Sequence, residues 1–183
     1  SISIPHKHNF YVSILFTQGS GFHEIDFERF DVQRGSVFLL NPGQTHYWEL
    51  SEDIEGFIFL HSETFYNFNF SQNTLSLYPF FYSTQNSPRL LLTEALTQEM
   101  SIRFEEVLEE YESERLYKSR KINNQVDGLY IDLARIYLEQ NTGVIHKTNT
   151  YAEKIKELET LIDAHFKEEK SPAQYASWMN MTA

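Results

Sequence analysis

The chain contains 183 residues, of which 41% are hydrophobic and 15% aromatic, and its formal net charge is −11. This length and apolar content suffice for one sizeable domain with an appended segment. The acidic balance repels phosphate and argues against nucleic-acid binding by these residues, and the absence of cysteine excludes disulfides, thiolate metal sites and cysteine nucleophiles.

Residues 1–92 show the pattern of short β-strands. The runs FYVSILF, FHEIDF, SVFLL, THYWEL and GFIFLH alternate in character or are continuously apolar, and Gly and Pro turns separate them. Many short strands at this spacing predict an all-β barrel or sandwich. The aromatic stretch from Ser62 to Pro88 lacks a clean period, so we expect a partly ordered connection that packs on the barrel.

Side chains alternate along a strand, and this alternation predicts which residues face the barrel interior. In FHEIDF we expect the apolar set to point inwards, namely His23, Ile25 and Phe27. The residues expected to line a ligand site are His8, Val12, His23, His46 and Trp48. For Trp48 and His23, plain core packing stays open as the alternative.

After residue 93 the apolar period becomes helical. One stripe contains Leu96, Met100, Phe104, Val107 and Tyr111. A second stripe contains Val126, Leu129, Tyr130, Leu133, Ile136 and Tyr137. The two stripes predict an antiparallel helical pair over residues 93–145, with Thr93 as the first N-cap. Apolar residues outside the stripes are available to pair with a second copy, namely Leu108, Leu116 and Leu138.

Residues 146–183 are predicted to contain a linker and two helices. A third apolar stripe contains Ile155, Leu158, Ile162, His165 and Phe166. The run PAQYASWMN follows Ser171 as N-cap and has Pro172 at its first helical position. Thr182 is predicted to cap a further helix.

Two histidine motifs in the β half carry candidate chemistry. PHKHNFYVSILFTQG contains His6 and His8, and GSVFLLNPGQTH places His46 after a Pro-Gly turn. Together they resemble the motifs of the cupin barrel, which hold a metal with three histidines and a glutamate. The glutamate position falls on Val12 or Ser13, where no carboxylate stands. Three imidazoles still suit Zn, Fe, Ni or Cu, but without that charge we predict a polar pocket and neither metal nor cofactor.

The C-terminal stretch from TYAEKIKELETLIDAHFKEE through PAQYASWMN to MTA resembles the start of the DNA-binding domain of AraC-type transcriptional regulators. Ala176 and Met181 fall where that motif has a small residue and an apolar turn residue. The resemblance implies an α+β chain with a cupin-like jelly-roll sensor barrel at residues 1–92. A helical dimerisation segment at 93–145 and the truncated start of a helix-turn-helix domain at 146–183 would follow.

The resemblance further implies a cytoplasmic transcription regulator that is not an enzyme. A small effector would bind inside the barrel, two copies would dimerise through the helices, and DNA would be bound by a mostly missing C-terminal region. The apolar runs are too short to span a bilayer, so no membrane partner is expected. Two alternatives remain. One is a metal-dependent cupin enzyme, such as a dioxygenase or a sugar isomerase, that uses His6, His8 and His46. The other is a storage or plain carbohydrate-binding barrel without a regulatory role.

Overall fold

The structure is a computed structural model that describes residues 4–68, 70, 75–81, 86–141, 154, 157–158, 160–162 and 164–181. Two residues singled out in the sequence, Ile155 and Thr182, lie outside this part of the chain. Two compact units are present, Ser1–Tyr137 and Leu138–Ala183. The predicted domain boundaries at residues 92 and 145 stay predictions.

In the described part of the chain, eight antiparallel strands form two four-stranded sheets, which agrees with the predicted all-β barrel or sandwich. The strands are β1 (His6–Lys7), β2 (Tyr11–Gln18), β3 (Gly21–Ile25), β4 (Glu28–Val32), β5 (Ser36–Leu40), β6 (Thr45–Leu50), β7 (Glu55–His61) and β8 (Arg89–Leu91). The first sheet has the order β1-β6-β3-β4, and the second has the order β7-β2-β5-β8. With the helices described next, they give the expected α+β fold with a cupin-like jelly roll.

The described helices lie either between β7 and β8 or after β8. They are α1 (Glu63–Asn67), α2 (Glu94–Glu112), α3 (Lys118–Gln140) and α4 (Pro172–Trp178), with a short 3-10 helix at Leu75–Leu77. Thr93 caps α2 as predicted, because its side chain accepts a hydrogen bond from the backbone N–H of Leu96. None of the described helices is long and apolar enough to cross a membrane.

The inner faces of the two sheets pack against each other. The buried residues between them are Val12, Ile14, Phe16, Ile25, Phe30, Val32, Phe38 and Leu40. In β2 these residues alternate with Leu15, which belongs to a second core on the other face of the same sheet. Both faces of β2 are therefore apolar, because one meets the opposite sheet and the other meets the helices.

Helices α2 and α3 pack on the outer face of the second sheet as an antiparallel pair. Gln125 donates a hydrogen bond to the carbonyl oxygen of Glu106, and Arg103 lies 2.7 Å from Asp132 in an ion pair. Higher numbers on one helix thus meet lower numbers on the other, which defines the antiparallel arrangement. All six residues of the predicted α3 stripe are buried in the helix-side core.

Two residues predicted to be inward-facing are exposed. Phe27 is 92% exposed, because Asp26 and Phe27 form the tip of the β3–β4 hairpin with φ angles of 48° and 70°. The alternation that governs a strand ends where the turn begins. Tyr111 is also exposed, since Glu110 takes the buried position in the last turn of α2.

The second unit contains α4 and helical residues that precede it. Ser171 occupies the N-cap position of α4 and Pro172 begins the helix, as predicted, but the Ser171 side chain makes no capping hydrogen bond. The helix ends in a Schellman motif: the N–H groups of Asn180 and Met181 donate to the carbonyls of Ser177 and Ala176, with Asn180 at φ 54°. An apolar cavity of about 540 Å³ lies in this unit, and its walls include Leu158, Ile162, Phe166, Tyr175 and Met179.

Candidate functional site

Four histidines from three strands and a loop meet at one end of the inter-sheet layer. Antiparallel pairing sets His6 opposite His46, and on the other side of β6 it sets Ile25 opposite His46 and His23 opposite Trp48. The ring centroids of His6 and His46 are 4.4 Å apart, and those of His8 and His46 are 5.1 Å apart. The register of β6 with its two neighbours therefore assembles the cluster.

The ring nitrogens of His6 have separate roles. Its Nδ1 lies 3.0 Å from the carbonyl oxygen of Ile4, and a carbonyl only accepts, so Nδ1 carries the proton and donates. In the neutral ring, Nε2 then keeps a lone pair. This Nε2 is buried and has no hydrogen-bond partner among the described residues, so it is available to a bound group.

His23 and His46 form a buried pair. His23 Nε2 lies 2.8 Å from His46 Nδ1, so one of these nitrogens donates to the other. The outer nitrogens, His23 Nδ1 and His46 Nε2, are buried and without a partner in the part of the chain that the structure describes. Unpartnered buried nitrogens are costly, and native structures usually satisfy them with a ligand, an ion or water.

Three of the four imidazoles, those of His8, His23 and His46, have lowered pKa values. Burial is the main cause that lowers the pKa of His23 to about 3, and the adjacent His46 and His6 add to it. Burial, His6 and His8 lower the pKa of His46 to about 4, although Asp26 opposes the shift. Burial and His6 also lower the pKa of His8. At neutral pH the three rings are therefore uncharged and present lone pairs or N–H groups rather than positive charge.

Aromatic and aliphatic side chains extend the site away from the histidines. The Trp48 ring centroid lies 5.2 Å from that of His23 and 5.7 Å from that of His46. Trp48 is only partly buried and packs against the inter-sheet core to which Val12 belongs. His8 stacks on Phe10 with ring centroids 4.5 Å apart. A polar cluster thus borders an apolar, aromatic surface, which is the usual composition of a small-molecule site.

The structure brings together four of the five residues predicted to line a ligand site, namely His8, His23, His46 and Trp48. The fifth, Val12, lies in the core that Trp48 contacts. The predicted ligand-site set does not include His6, although the i, i+2 spacing of His6 and His8 indicates that the two side chains share one strand face. The residues predicted for dimerisation, Leu108, Leu116 and Leu138, are all exposed.

A second polar network lies between the second sheet and α3, and no sequence pattern predicts it. His61 Nδ1 lies 3.1 Å from the carbonyl of Ser62, so Nδ1 donates and Nε2 accepts. The Tyr130 hydroxyl lies 2.7 Å from His61 Nε2 and 2.8 Å from Ser13 Oγ. Tyr130 therefore donates to His61 and accepts from Ser13. This one-way chain of hydrogen bonds joins β2, β7 and α3.

A match to the sequence model of a known family identifies the kind of domain that this chain contains. The family model of the AraC-like ligand binding domain matches residues 2–119. The chain belongs to this family. The matched residues contain both sheets and all four clustered histidines, so the candidate site lies inside the AraC-like ligand-binding domain. The predicted resemblance to AraC-type regulators is confirmed for this domain, and the start of a helix-turn-helix domain stays a prediction.

Solved structures similar to the chain include AraC-like regulators. One is the AraC-like transcriptional activator CuxR, at 10% identity and a TM-score of 0.43, over 96% of this chain and 58% of CuxR. Another is an apo ToxT variant from Vibrio cholerae, at 12% identity and a TM-score of 0.40, over 100% of this chain and 68% of that protein. The chain thus spans little more than half the length of CuxR. No curated protein matches it significantly.

Proposed function

We propose that this AraC-like ligand-binding domain senses a small metabolite and forms the regulatory part of a cytoplasmic transcription regulator without enzymatic activity. The effector binds between the two sheets and contacts His8, Val12, His23, His46 and Trp48. The observation that carries the proposal is the convergence of uncharged imidazoles and a partly exposed indole on one end of the inter-sheet layer.

The geometry supports an effector with a flat or ring-shaped body and hydrogen-bonding groups. Trp48 offers a platform on which a sugar or aromatic ring stacks. The neutral imidazoles exchange hydrogen bonds with hydroxyl groups, because each has one donor nitrogen and one acceptor nitrogen. Sugars and aromatic acids both fit this description.

The output of the sensor requires a partner copy and DNA. We place the dimer contact on the exposed leucines Leu108, Leu116 and Leu138, and duplex binding in the helix-turn-helix region that begins within residues 146–183. Two-fold pairing would set the spacing of two DNA half-sites. The effector alters this output only if it binds one arrangement of the dimer more tightly than another.

A thermal-shift screen with a library of sugars and aromatic acids tests the sensor role. A ligand present at a hundredfold excess over its Kd stabilises the folded state by about 2.7 kcal/mol. We expect at least one compound to raise the Tm of this chain and to lose its effect on the Trp48→Leu variant. Trp178→Leu is the matched control, because Trp178 lies in the second unit and should leave the shift unchanged.

The regulatory role has its own test in the full-length protein. We expect the full-length protein to bind duplex DNA with sequence preference at moderate salt, and the effector to change that affinity. Full-length protein that binds all duplexes equally would contradict the regulatory role, even if the metabolite screen succeeds.

A further inference from the structure

We propose that His6, His8 and His46 bind one divalent transition-metal ion of the zinc class, and that His23 positions His46 for this role. This sequence lacks the carboxylate of the cupin-type pattern, and for that reason the sequence alone predicts no metal. The structure supplies a fourth imidazole, from β3, that the pattern does not contain.

The ligand atoms of the three histidines converge. One nitrogen of each ring lies within 4.8 Å of the other two. A tetrahedral zinc ion sits about 2.0–2.1 Å from each imidazole nitrogen, which places the nitrogens about 3.4 Å apart. Because 4.8 Å is the upper bound of these separations, a rotation of the partly exposed His8 ring and a small shift of His6 together with Ile4 would bring the nitrogens to this spacing.

Two of these nitrogens are already oriented for a cation. The carbonyl of Ile4 fixes the proton of His6 on Nδ1, so Nε2 presents its lone pair. His46 is 98% buried, and its Nε2 has no hydrogen-bond partner in the described part of the chain. A metal ion would satisfy both nitrogens at once, whereas no described side chain does so.

His23 is the positioning residue. When His46 donates from Nδ1 to His23 Nε2, His46 keeps its Nε2 lone pair for a metal. A hydrogen bond from the second nitrogen of a ligating histidine is the usual support in metal sites, and its loss typically weakens binding by about 10- to 100-fold. His23 is held in place by the Phe38 ring, whose centroid is 4.7 Å away.

The ion would complete the effector site. Three protein ligands leave one tetrahedral position open, and an oxygen or nitrogen of the effector can occupy it. This last step rests on the proposed sensor function, whereas metal binding by the histidines does not. The net charge of −11 also favours the approach of a cation.

Titration of metal-free protein with Co²⁺ tests the site without any metabolite. We expect saturable visible d–d absorption at one ion per chain, and competition by Zn²⁺. His6→Ala and His8→Ala should abolish the absorption band, and His165→Ala, a histidine of the second unit, should preserve it. Circular dichroism and thermal melts verify that each variant is folded.

The positioning role has a separate readout. His23→Leu should weaken Co²⁺ binding by about 10- to 100-fold. His23→Gln should restore most of the affinity, because its amide can accept the hydrogen bond from His46 Nδ1. The proposal fails if Co²⁺ gives no saturable band, or if folded His6→Ala and His8→Ala variants bind it as tightly as the parent chain. Equal affinity of His23→Leu and the parent would overturn the role of His23.

Discussion

Replacing Tyr130 with phenylalanine isolates one hydroxyl group at the junction of sheet and helix. Tyr130 is fully buried, and its hydroxyl group both donates to His61 Nε2 and accepts from Ser13 Oγ. Tyr130→Phe keeps the ring and its packing, but it leaves a buried acceptor and a buried donor without partners. The change therefore measures the hydrogen bonds rather than the loss of a large side chain.

The expected loss follows from these two stranded groups. A buried polar group that loses its partner costs about 1–3 kcal/mol. Ser13 is fully buried and His61 nearly so, and neither gains direct access to water. With two such groups, we expect the free energy of unfolding to fall by about 2–6 kcal/mol. Each kcal/mol lowers Tm by about 2–4 °C in a chain of this size.

Urea denaturation of three variants measures this loss. Ser13→Ala should lower the free energy of unfolding by less than Tyr130→Phe does, because Tyr130 can still donate its hydrogen bond to His61. The double variant should be less destabilised than the sum of the two single variants, because removal of the Ser13 hydroxyl group also removes one stranded donor. A Tyr130→Phe variant within about 0.5 kcal/mol of the parent would refute the reasoning, since surface changes fall in that range.

Two further predictions concern acid stability and assembly. The folded-state pKa values of His23 and His46 are lowered to about 3 and about 4, so the unfolded chain binds protons at a higher pH than the folded one. The free energy of unfolding should therefore be greatest above pH 6.5 and should decrease as the pH falls towards those values. Urea titrations at pH 7.5 and 5.0 measure this decrease, and the His23→Leu variant should show a smaller difference in the free energy of unfolding between the two pH values. In light scattering, Leu108→Asp or Leu116→Asp should convert a dimer to a monomer. Leu77→Asp should not, and it is a control for Leu116→Asp because the two leucines are similarly exposed, at 76% and 82%. An unchanged mass of the Leu108 and Leu116 variants would contradict the dimer contact.

The hydrogen-bond chain through Tyr130 also bears on the proposed sensor function. It connects β2 and β7, which form part of the barrel wall, with α3 of the predicted dimerisation segment. Tyr66 and Tyr78 attach the segment before β8 to the same helix, because both hydroxyl groups donate to Asp127. A change in the conformation of the barrel can therefore alter the position of α3 through these hydrogen bonds.

Local patterns predicted five strands, namely β2, β3, β5, β6 and β7, and the helices α2, α3 and α4, but they did not predict α1, which lies in the aromatic stretch without a clean period. Alternation in β2, the apolar stripe of α3 and the caps at Thr93 and Ser171 all involve residues within a few positions of each other. Such short-range patterns can be interpreted without knowledge of the fold, because strand and helix geometry alone determines which side chains share a face. The same logic failed at Phe27, where a tight turn replaced the strand.

The assembly of the site depended on contacts between distant parts of the chain. His23 meets His46 only because β3 pairs with β6 in one register, and a shift by one residue would turn the two rings to opposite faces. Ser13 and Tyr130 are 117 residues apart, and their hydrogen bond exists because α3 packs on the outer face of β2. Strand order, register and helix docking are set by the burial of the whole core, so no local pattern encodes them.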